Sequence, residues 1–399
     1  MAASRTIFVA GAGIGGLTAA LALAAEGFRV VILEKAERLE EAGAGLQLSP
    51  NASRVLIDLG LQPRLSPRAV TPEAIGIVSA RAGREIARLP LGEDASARAG
   101  APYWVMHRAD LQGALQAQVQ DNPDIELRLG CQFEDAVSHA KGLTVVHRRG
   151  NSREQDVALA LVGADGIWST VRQHLVPQLQ PQFSGLIAWR GTLEATQLPR
   201  EYTSRRVQLW MGPDAHLVAY PISGARQINI VAIAPGTWNR PGWSAPGDIN
   251  EIKNIFAGRW PSAARMLIGA VDEWRKWALF TVAGDSEWTD GAIALLGDAA
   301  HAMLPFAAQG AGMAIEDAAV LAKCLGAIQS EGGPAIPAAM QRYARLRRPR
   351  VMRVQRAARQ AGLIYHLTGA AASARDLAIR AMGPRRMLAR QDWIHDWRA

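Results

Sequence analysis

The segment Thr6-Ile7-Phe8-Val9-Ala10-Gly11-Ala12-Gly13-Ile14-Gly15-Gly16 runs from a short apolar stretch straight into a glycine cluster. Four apolar residues bounded by glycine read as a buried strand. Apolar residues then recur at Leu17, Ala20, Leu21 and Ala24, the spacing of one helical face, and Gly27 is placed to end that helix. Phe28 to Leu33 reads as a second buried strand, closing a strand–helix–strand unit. Within it the glycines fit G-x-G-x-x-G. Gly11 allows a tight turn, Gly13 lets a pyrophosphate approach the backbone, and Gly16 lets helix and strand pack closely. The helix start offers unpaired N–H groups and a positive dipole end to phosphates. Glu34 follows Gly11 by 23 positions, at the end of the second strand, where an acid accepts from a ribose hydroxyl and disfavours a 2′-phosphate. The segment therefore reads as a site for FAD or NAD.

Composition bounds the rest. The chain has 399 residues, 49% of them hydrophobic and 20% charged, which is ordinary for a folded globular protein of about two packed regions. Every apolar run is broken well short of the ~18 residues that span a membrane. No cleavable leader is expected before Thr6, and Cys131 and Cys324 are too few for a disulfide framework or a cysteine zinc site. A cytoplasmic home, with no metal, is the plain expectation. The net charge is +8, yet only five of the 44 basic residues are lysines. The densest basic run, Arg342 to Arg359, holds few aromatics and is interrupted by Pro349. It reads as a solvated helix face and not as a nucleic-acid surface. Positive potential would still steer anionic substrates and nicotinamide phosphates.

Two later clusters extend the first. Leu161-Val162-Gly163-Ala164-Asp165-Gly166-Ile167-Trp168-Ser169-Thr170-Val171-Arg172 reads as a strand end, an Asp-Gly turn and a helix start. Ala294-Leu295-Leu296-Gly297-Asp298-Ala299-Ala300-His301 is another strand with an acid at its tip, suited to a second ribose. Alone, each is a turn. Between them, from Phe183 to about Phe280, the chain is β-rich, and beyond about Gly310 it is helical with a break at Gly332 to Pro337. A sheet-based region thus interrupts a discontinuous dinucleotide-binding one. Gln309-Gly310-Ala311-Gly312 opens a helix with small residues that let a flat ring lie close, its dipole favouring negative charge there.

Together GAGIGG, Glu34-Lys35, His107-Arg108-Ala109-Asp110-Leu111, GADGIWSTVR and GDAAHAMLPFAAQGAGMAIEDA resemble the class A flavin monooxygenases, the single-component aromatic hydroxylases of the para-hydroxybenzoate hydroxylase type. The salicylate, 3-hydroxybenzoate and 6-hydroxynicotinate hydroxylases are the most similar subgroup, from about residue 6 to about 360. The resemblance implies an α/β fold: a Rossmann-like FAD-binding domain in three parts (1–70, 106–180, 286–345), a β-rich insertion (71–105), an inserted β-sheet substrate domain (181–285) and a C-terminal helical region (346–399). It implies FAD, with NADH or NADPH and dioxygen as co-substrates, a small aromatic substrate, and a monomer or homodimer binding neither nucleic acid nor membrane.

Carried over by position, Gly11, Gly13, Gly16, Glu34 and Lys35 hold the ADP half of FAD. Asp165 serves flavin and nicotinamide nucleotide, and Asp298 the ribitol and pyrophosphate. Leu46 and Gln47, in Gly45-Leu46-Gln47-Leu48-Ser49-Pro50-Asn51-Ala52, approach the ring system with Arg108, Gly310 and Ala311. One departure is Ala302, where relatives usually carry proline. In such enzymes a flavin hydroperoxide hydroxylates an activated phenol, and paired carboxylates, metal spacings and nucleophile elbows are not evident in this sequence. His216 and Tyr220 are spaced to share one face of a strand, and the related enzymes turn a His and a Tyr in this pattern to the substrate. Gln309 is the second candidate to contact the ring hydroxyl. Tyr103 and Phe306 are expected at the substrate, and His301 in a structural role. The hydroxynicotinate enzymes carry extra histidines where Gln47 or Leu48 and Phe306 stand here, so a hydroxybenzoate is the first expectation. A hydroxypyridine acid or a larger non-phenolic substrate is the alternative. A NAD-linked dehydrogenase would share the first motif and have no use for the third.

Overall fold

A computed structural model describes residues 5–39, 45–139, 142–258, 260–328 and 333–399. Met1, Lys141 and Gly332, the first residue of the expected helix break, lie outside them. The strand Thr6–Ala10 runs parallel to Arg29–Glu34 on one side and Ala160–Gly163 on the other. Ile7, Val9, Val30 and Ile32 are fully enclosed, because helices and a three-stranded antiparallel sheet (Cys131–His139, Gly142–Arg149, Ser152–Ala158) pack against this sheet. Its order is Thr289–Asp290, Ile293–Leu295, Ala160–Gly163, Thr6–Ala10, Arg29–Glu34, Ile125–Leu129, and only Thr289–Asp290 runs antiparallel to its neighbour. Gly11, Glu34, Asp165 and Asp298 therefore all stand at carboxyl ends of strands, on one rim, where open α/β sheets bind ligands. The helices Ile14–Ala25 and Gly310–Gly326 pack against each other beside it.

A second sheet has eight strands in the order Ser244–Gly247, Trp274–Thr281, Gln182–Glu194, Gln227–Pro235, His216–Ile222, Arg206–Met211, Ala74–Ser79, Arg84–Pro90. This corrects the reading of 71–105 as an insertion of its own. Ala74–Ser79 pairs in parallel with Arg206–Met211, so the early strands extend the later sheet. The helices Ile249–Ile255 and Ser262–Gly269 cover one face, packing Ile252, Phe256 and Leu267 on Trp189, Leu217 and Ile230. A two-stranded ribbon, Gly45–Leu48 with Trp104–His107, bridges the two sheets.

The basic run departs most from expectation. Pro349 does not stop its helix, which continues from Ile336 to Tyr365 and crosses the boundary drawn at 345. Nor is the run wholly solvated: Arg347 is 1% exposed. Its Nε donates to Asp317 Oδ1 at 2.7 Å and its Nη1 to Glu316 Oε2 at 2.6 Å. Arg350 donates to both Glu316 oxygens. Burial opposes ionisation of Asp317, but His301 and Arg347 outweigh it and hold its carboxyl below the usual range. The Arg347→Met variant would take a cationic partner from each of two buried carboxylates, and urea unfolding should show a loss of about 3–5 kcal/mol. Because the Asp317 pKa is depressed, that contribution is present above the ordinary carboxylate pKa of about 4 and fades as pH falls below it. The gap between variant and wild type should therefore narrow in acid.

Candidate active site

The first motif builds a cradle from backbone. Gly11 has φ of +100°, and a Cβ there would lie 2.5 Å from the Ala164 carbonyl oxygen. A Cβ on Gly16 would lie 1.9 Å from the Gly11 oxygen, whereas one on Gly13 would meet nothing within 4 Å. The first two glycines are therefore demanded by packing, and Gly13 faces open space. That space is a cleft of about 200 Å³ lined by Gly11, Gly13, Glu34, Lys35, Asp165 and Trp168 among others. Glu34 accepts from the backbone N–H groups of Ala12 (2.8 Å) and Ala36 (2.9 Å), which fixes its carboxylate at the strand end with acceptor capacity left over. Asp165 Oδ2 caps the following helix by accepting from Thr170 and Val171, while its Oδ1 is buried without a partner. Burial raises the Asp165 pKa. Arg172, fully buried, ties this turn to the third motif by donating to the carbonyls of Ile167 and Ala299. Asp298 stands exposed in the first turn of Asp298–His301, and Lys35 is exposed at the cleft.

A pyrophosphate needs bare backbone, and a ribose needs a fixed acceptor. The orphaned Asp165 oxygen and the Gly13 opening supply both, so the residues present fit FAD. Arg108 starts the helix Arg108–Gln120, and one turn on Gln112 donates to the Ala12 carbonyl, seating that helix on the glycine loop. Strand pairing sets Leu46 opposite Met106 and Gln47 opposite Val105, just before Arg108. Gly310 and Ala311 form the first turn of Gly310–Gly326, and a Cβ on Gly310 would meet nothing within 4 Å.

The free face of the eight-stranded sheet turns toward this rim. His216, Val218 and Tyr220 pair with Ile233, Val231 and Asn229, which pair in turn with Ala188, Arg190 and Thr192. Directly paired residues project to one face. His216 and Tyr220 do share it, 2% and 4% exposed. Phe306 reaches it from the other side, packing on Ala188 and Ile233 with its ring centroid 5.2 Å from that of His216. Tyr220 packs against Gly45, and Asn229 accepts from the Gly45 N–H at 2.7 Å, so the ribbon is seated on the sheet. Tyr103 donates to Gln47 Oε1 at 2.6 Å, and burial raises the pKa values of both Tyr103 and Tyr220.

Gln309 requires a correction. Its amide donates to Ser49 Oγ (2.8 Å) and accepts from Asn51 Nδ2 (3.1 Å), and Asn51 also donates to Glu316. Both ends of the side chain are engaged, so Gln309 braces the helix start and does not reach for a ring hydroxyl. His301 bonds Asp317 at 2.5 Å, the structural role expected of it. Arg190 was not anticipated. Its Nε is buried without a partner, and it makes no ion pair among the described residues. Burial depresses its pKa; Tyr220 and Arg108 are the charged or titratable groups near it. No spacing rule marks such a residue, because its isolation exists only once the sheet is assembled.

Glycine cradle, rim acids and a sheet face turned toward that rim define a dinucleotide-dependent enzyme. The family model described as FAD binding domain matches residues 4–358, and the chain belongs to that family. It is 39% identical over 362 residues to a 3-amino-4-hydroxybenzoate 2-monooxygenase of Streptomyces platensis, covering 90% of this chain and 88% of the relative. It is 33% identical over 395 residues to the 3-hydroxybenzoate 6-hydroxylase of Polaromonas naphthalenivorans, covering 99% and 96%. A solved salicylate hydroxylase substrate complex superposes with a TM-score of 0.83 at 26% identity, covering 100% and 97%. The protein is an FAD-dependent monooxygenase of the aromatic-hydroxylase type, with NAD(P)H as co-substrate. No helix among the described residues is long and apolar enough to cross a membrane.

The two kinds of glycine separate experimentally. Gly13→Leu should leave the thermal stability of the flavin-free protein unchanged and lower bound flavin per chain, read from visible absorbance. Gly16→Ala should lower the stability of the flavin-free protein itself, because its Cβ meets a backbone oxygen.

Proposed function

We propose that this enzyme hydroxylates a benzenoid hydroxy acid of the hydroxybenzoate class, bound between the sheet face and the flavin-side helix start. The observation that carries the reading is Arg190, a cation without a counter-ion among the described residues, on a face that also presents Ala188, Val218, Val231 and Ile233. An unpaired cation facing an apolar chamber invites an anion, and a carboxylate matches its fork. His216 lies two strands away on the same face, so a ring held by its carboxylate at Arg190 presents its hydroxyl toward His216. The 3-hydroxybenzoate and 3-amino-4-hydroxybenzoate relatives support this class by name.

With FAD held at the glycine cradle and the rim acids, the cofactor would supply reduction by NAD(P)H and the activation of dioxygen, one atom of which goes to the ring and the other to water. The chain's own residues do the rest. Burial keeps His216 well below its ordinary pKa, with His366 beside it adding to that, so it is neutral and ready to accept the hydroxyl proton that activates the ring. Tyr220 and Tyr103 wall the ribbon side. Phe306, Leu304, Ile233 and Trp277 close the chamber to water, which would otherwise release hydrogen peroxide. The dependence on NAD(P)H supports a cytoplasmic enzyme, acting as a monomer or homodimer.

Oxidation of NADH and NADPH by the FAD-loaded protein, across hydroxybenzoates and hydroxypyridine acids with peroxide assayed alongside, tests the class. One hydroxybenzoate should stimulate oxidation with little peroxide; stimulation confined to compounds without a carboxylate would refute it. Arg190→Met should weaken binding of that acid by about 1.5–3 kcal/mol, roughly 10- to 150-fold in Kd, measured by flavin absorbance titration. His216→Ala should keep its flavin, hydroxylate more slowly and divert turnover to peroxide. Fully coupled turnover in that variant would remove His216 from the mechanism.

A further inference from the structure

His366 handles no proton in the scheme above, yet it touches its central base. It caps the C-terminus of Ile336–Tyr365, and its Nε2 lies 2.8 Å from Nδ1 of His216. The two ring centroids are 5.1 Å apart. Exposure rises along one line: His216 is enclosed, His366 is half-buried, and Asp214 is exposed. Asp214 is tied to His366 by its backbone N–H, which donates to the His366 carbonyl at 3.3 Å.

A bond between two imidazole nitrogens needs one N–H and one lone pair, so the two tautomers are coupled. With the proton on His216 Nδ1, the other nitrogen of that ring, Nε2, is a bare acceptor and is the one left for a ring hydroxyl. We propose that His216 and His366 form a relay that carries the substrate's hydroxyl proton out of the chamber to solvent beside Asp214.

The step balances without a stored charge. The substrate O–H bond breaks and its proton joins His216 Nε2, leaving the electron pair on the ring oxygen. The proton on His216 Nδ1 passes to His366 Nε2, and the proton on His366 Nδ1 passes to water. Both imidazoles are neutral before and after. Burial disfavours the cationic form of each ring, so a proton arriving at His216 has to be handed on. The titratable and charged groups around the pair are few. Asp214 favours charge on the outer ring only. Tyr365, pushed up to about 12 by burial, stays neutral. Arg375 donates to the Ile364 and Tyr365 carbonyls and is paired with Asp376.

The relay rests on the reading of His216 as the residue that meets the ring hydroxyl, and the test separates the two. Full-length FAD-loaded protein is assayed with 3-hydroxybenzoate, salicylate and 3-amino-4-hydroxybenzoate as probes, with flavin content and NAD(P)H-driven flavin reduction as checks on the fold. His366→Gln should hydroxylate about a hundredfold more slowly near neutral pH. Its rate should climb with pH as phenolate is supplied from solution, and added imidazole should restore part of it. A His366→Gln enzyme with wild-type rate and pH profile overturns the relay. Loss of hydroxylation in His216→Gln alongside that result overturns the relay and spares the reading of the site, whereas wild-type coupling in His216→Gln overturns both. Nitrogen-15 NMR of the wild-type histidines needs no variant and no turnover. Two neutral, mutually hydrogen-bonded imidazoles are expected near neutral pH. A His216 that is protonated there, or bonded to no other imidazole, overturns the relay.

Discussion

The ion cluster of Glu316, Asp317 and Arg347 holds the cofactor side of the molecule in place. Asp317 accepts from the backbone N–H of Gly297 at 3.1 Å and from His301, so it fixes the turn that carries Asp298. Glu316 accepts from Asn51, which also donates to Gln309, so the next carboxylate fixes the ribbon end to the helix start. Arg347 and Arg350 neutralise the pair, and Arg350 reaches on to the carbonyls of Trp393 and Ile394. Three segments far apart in sequence thus meet on two adjacent carboxylates. Such a cluster adds little net stability over apolar packing. It does specify which backbone groups face the flavin, and a rim assembled from separate strand ends needs that registration.

The cofactor half was legible because it is made of backbone. Gly11 and Gly16 are required by contacts of 2.5 and 1.9 Å, and glycine is the residue that satisfies them, so the requirement is written in residue identity. Strand ends also recur as apolar runs followed by Gly or Asp, which is why Asp165 and Asp298 could be found without neighbours. The substrate half is made of side chains on paired strands, where function follows register. His216 and Tyr220 share a strand and could be read from even spacing. Arg190 and Asn229 reach the same face only through cross-strand pairing. Gln309 shows the converse: it stands at the start of Gly310–Gly326 as its sequence context implies, but its hydrogen bonds go to Ser49 and Asn51, partners some 260 residues away in sequence. The basic run misled for the same reason, since its charge count says nothing of Glu316 and Asp317 waiting in another helix.

The chamber combines groups that are unfavourable in a folded core. Among the described residues Arg190 makes no ion pair, the side-chain nitrogen of Asn229 is buried unpaired, and His216 and His366 share one hydrogen bond. Polar groups left unsatisfied in a dry interior cost stability, and proteins retain them where a ligand completes the set. An anionic ring would meet most of this deficit at once, its carboxylate at Arg190 and its hydroxyl at His216. The same deficit would discriminate between ligands: a ring lacking the carboxylate would leave Arg190 desolvated and unpaired, so that rejection would come from the protein's own unsatisfied charge. The apolar residues between the polar anchors then have a second task. In the proposed reading they exclude water once the ring is seated, so that a neutral imidazole acts as base where an imidazolium would be disfavoured. On that reading, substrate selection, ring activation and protection of the activated oxygen would all follow from one arrangement, a few unpaired polar groups set in an apolar sheet face.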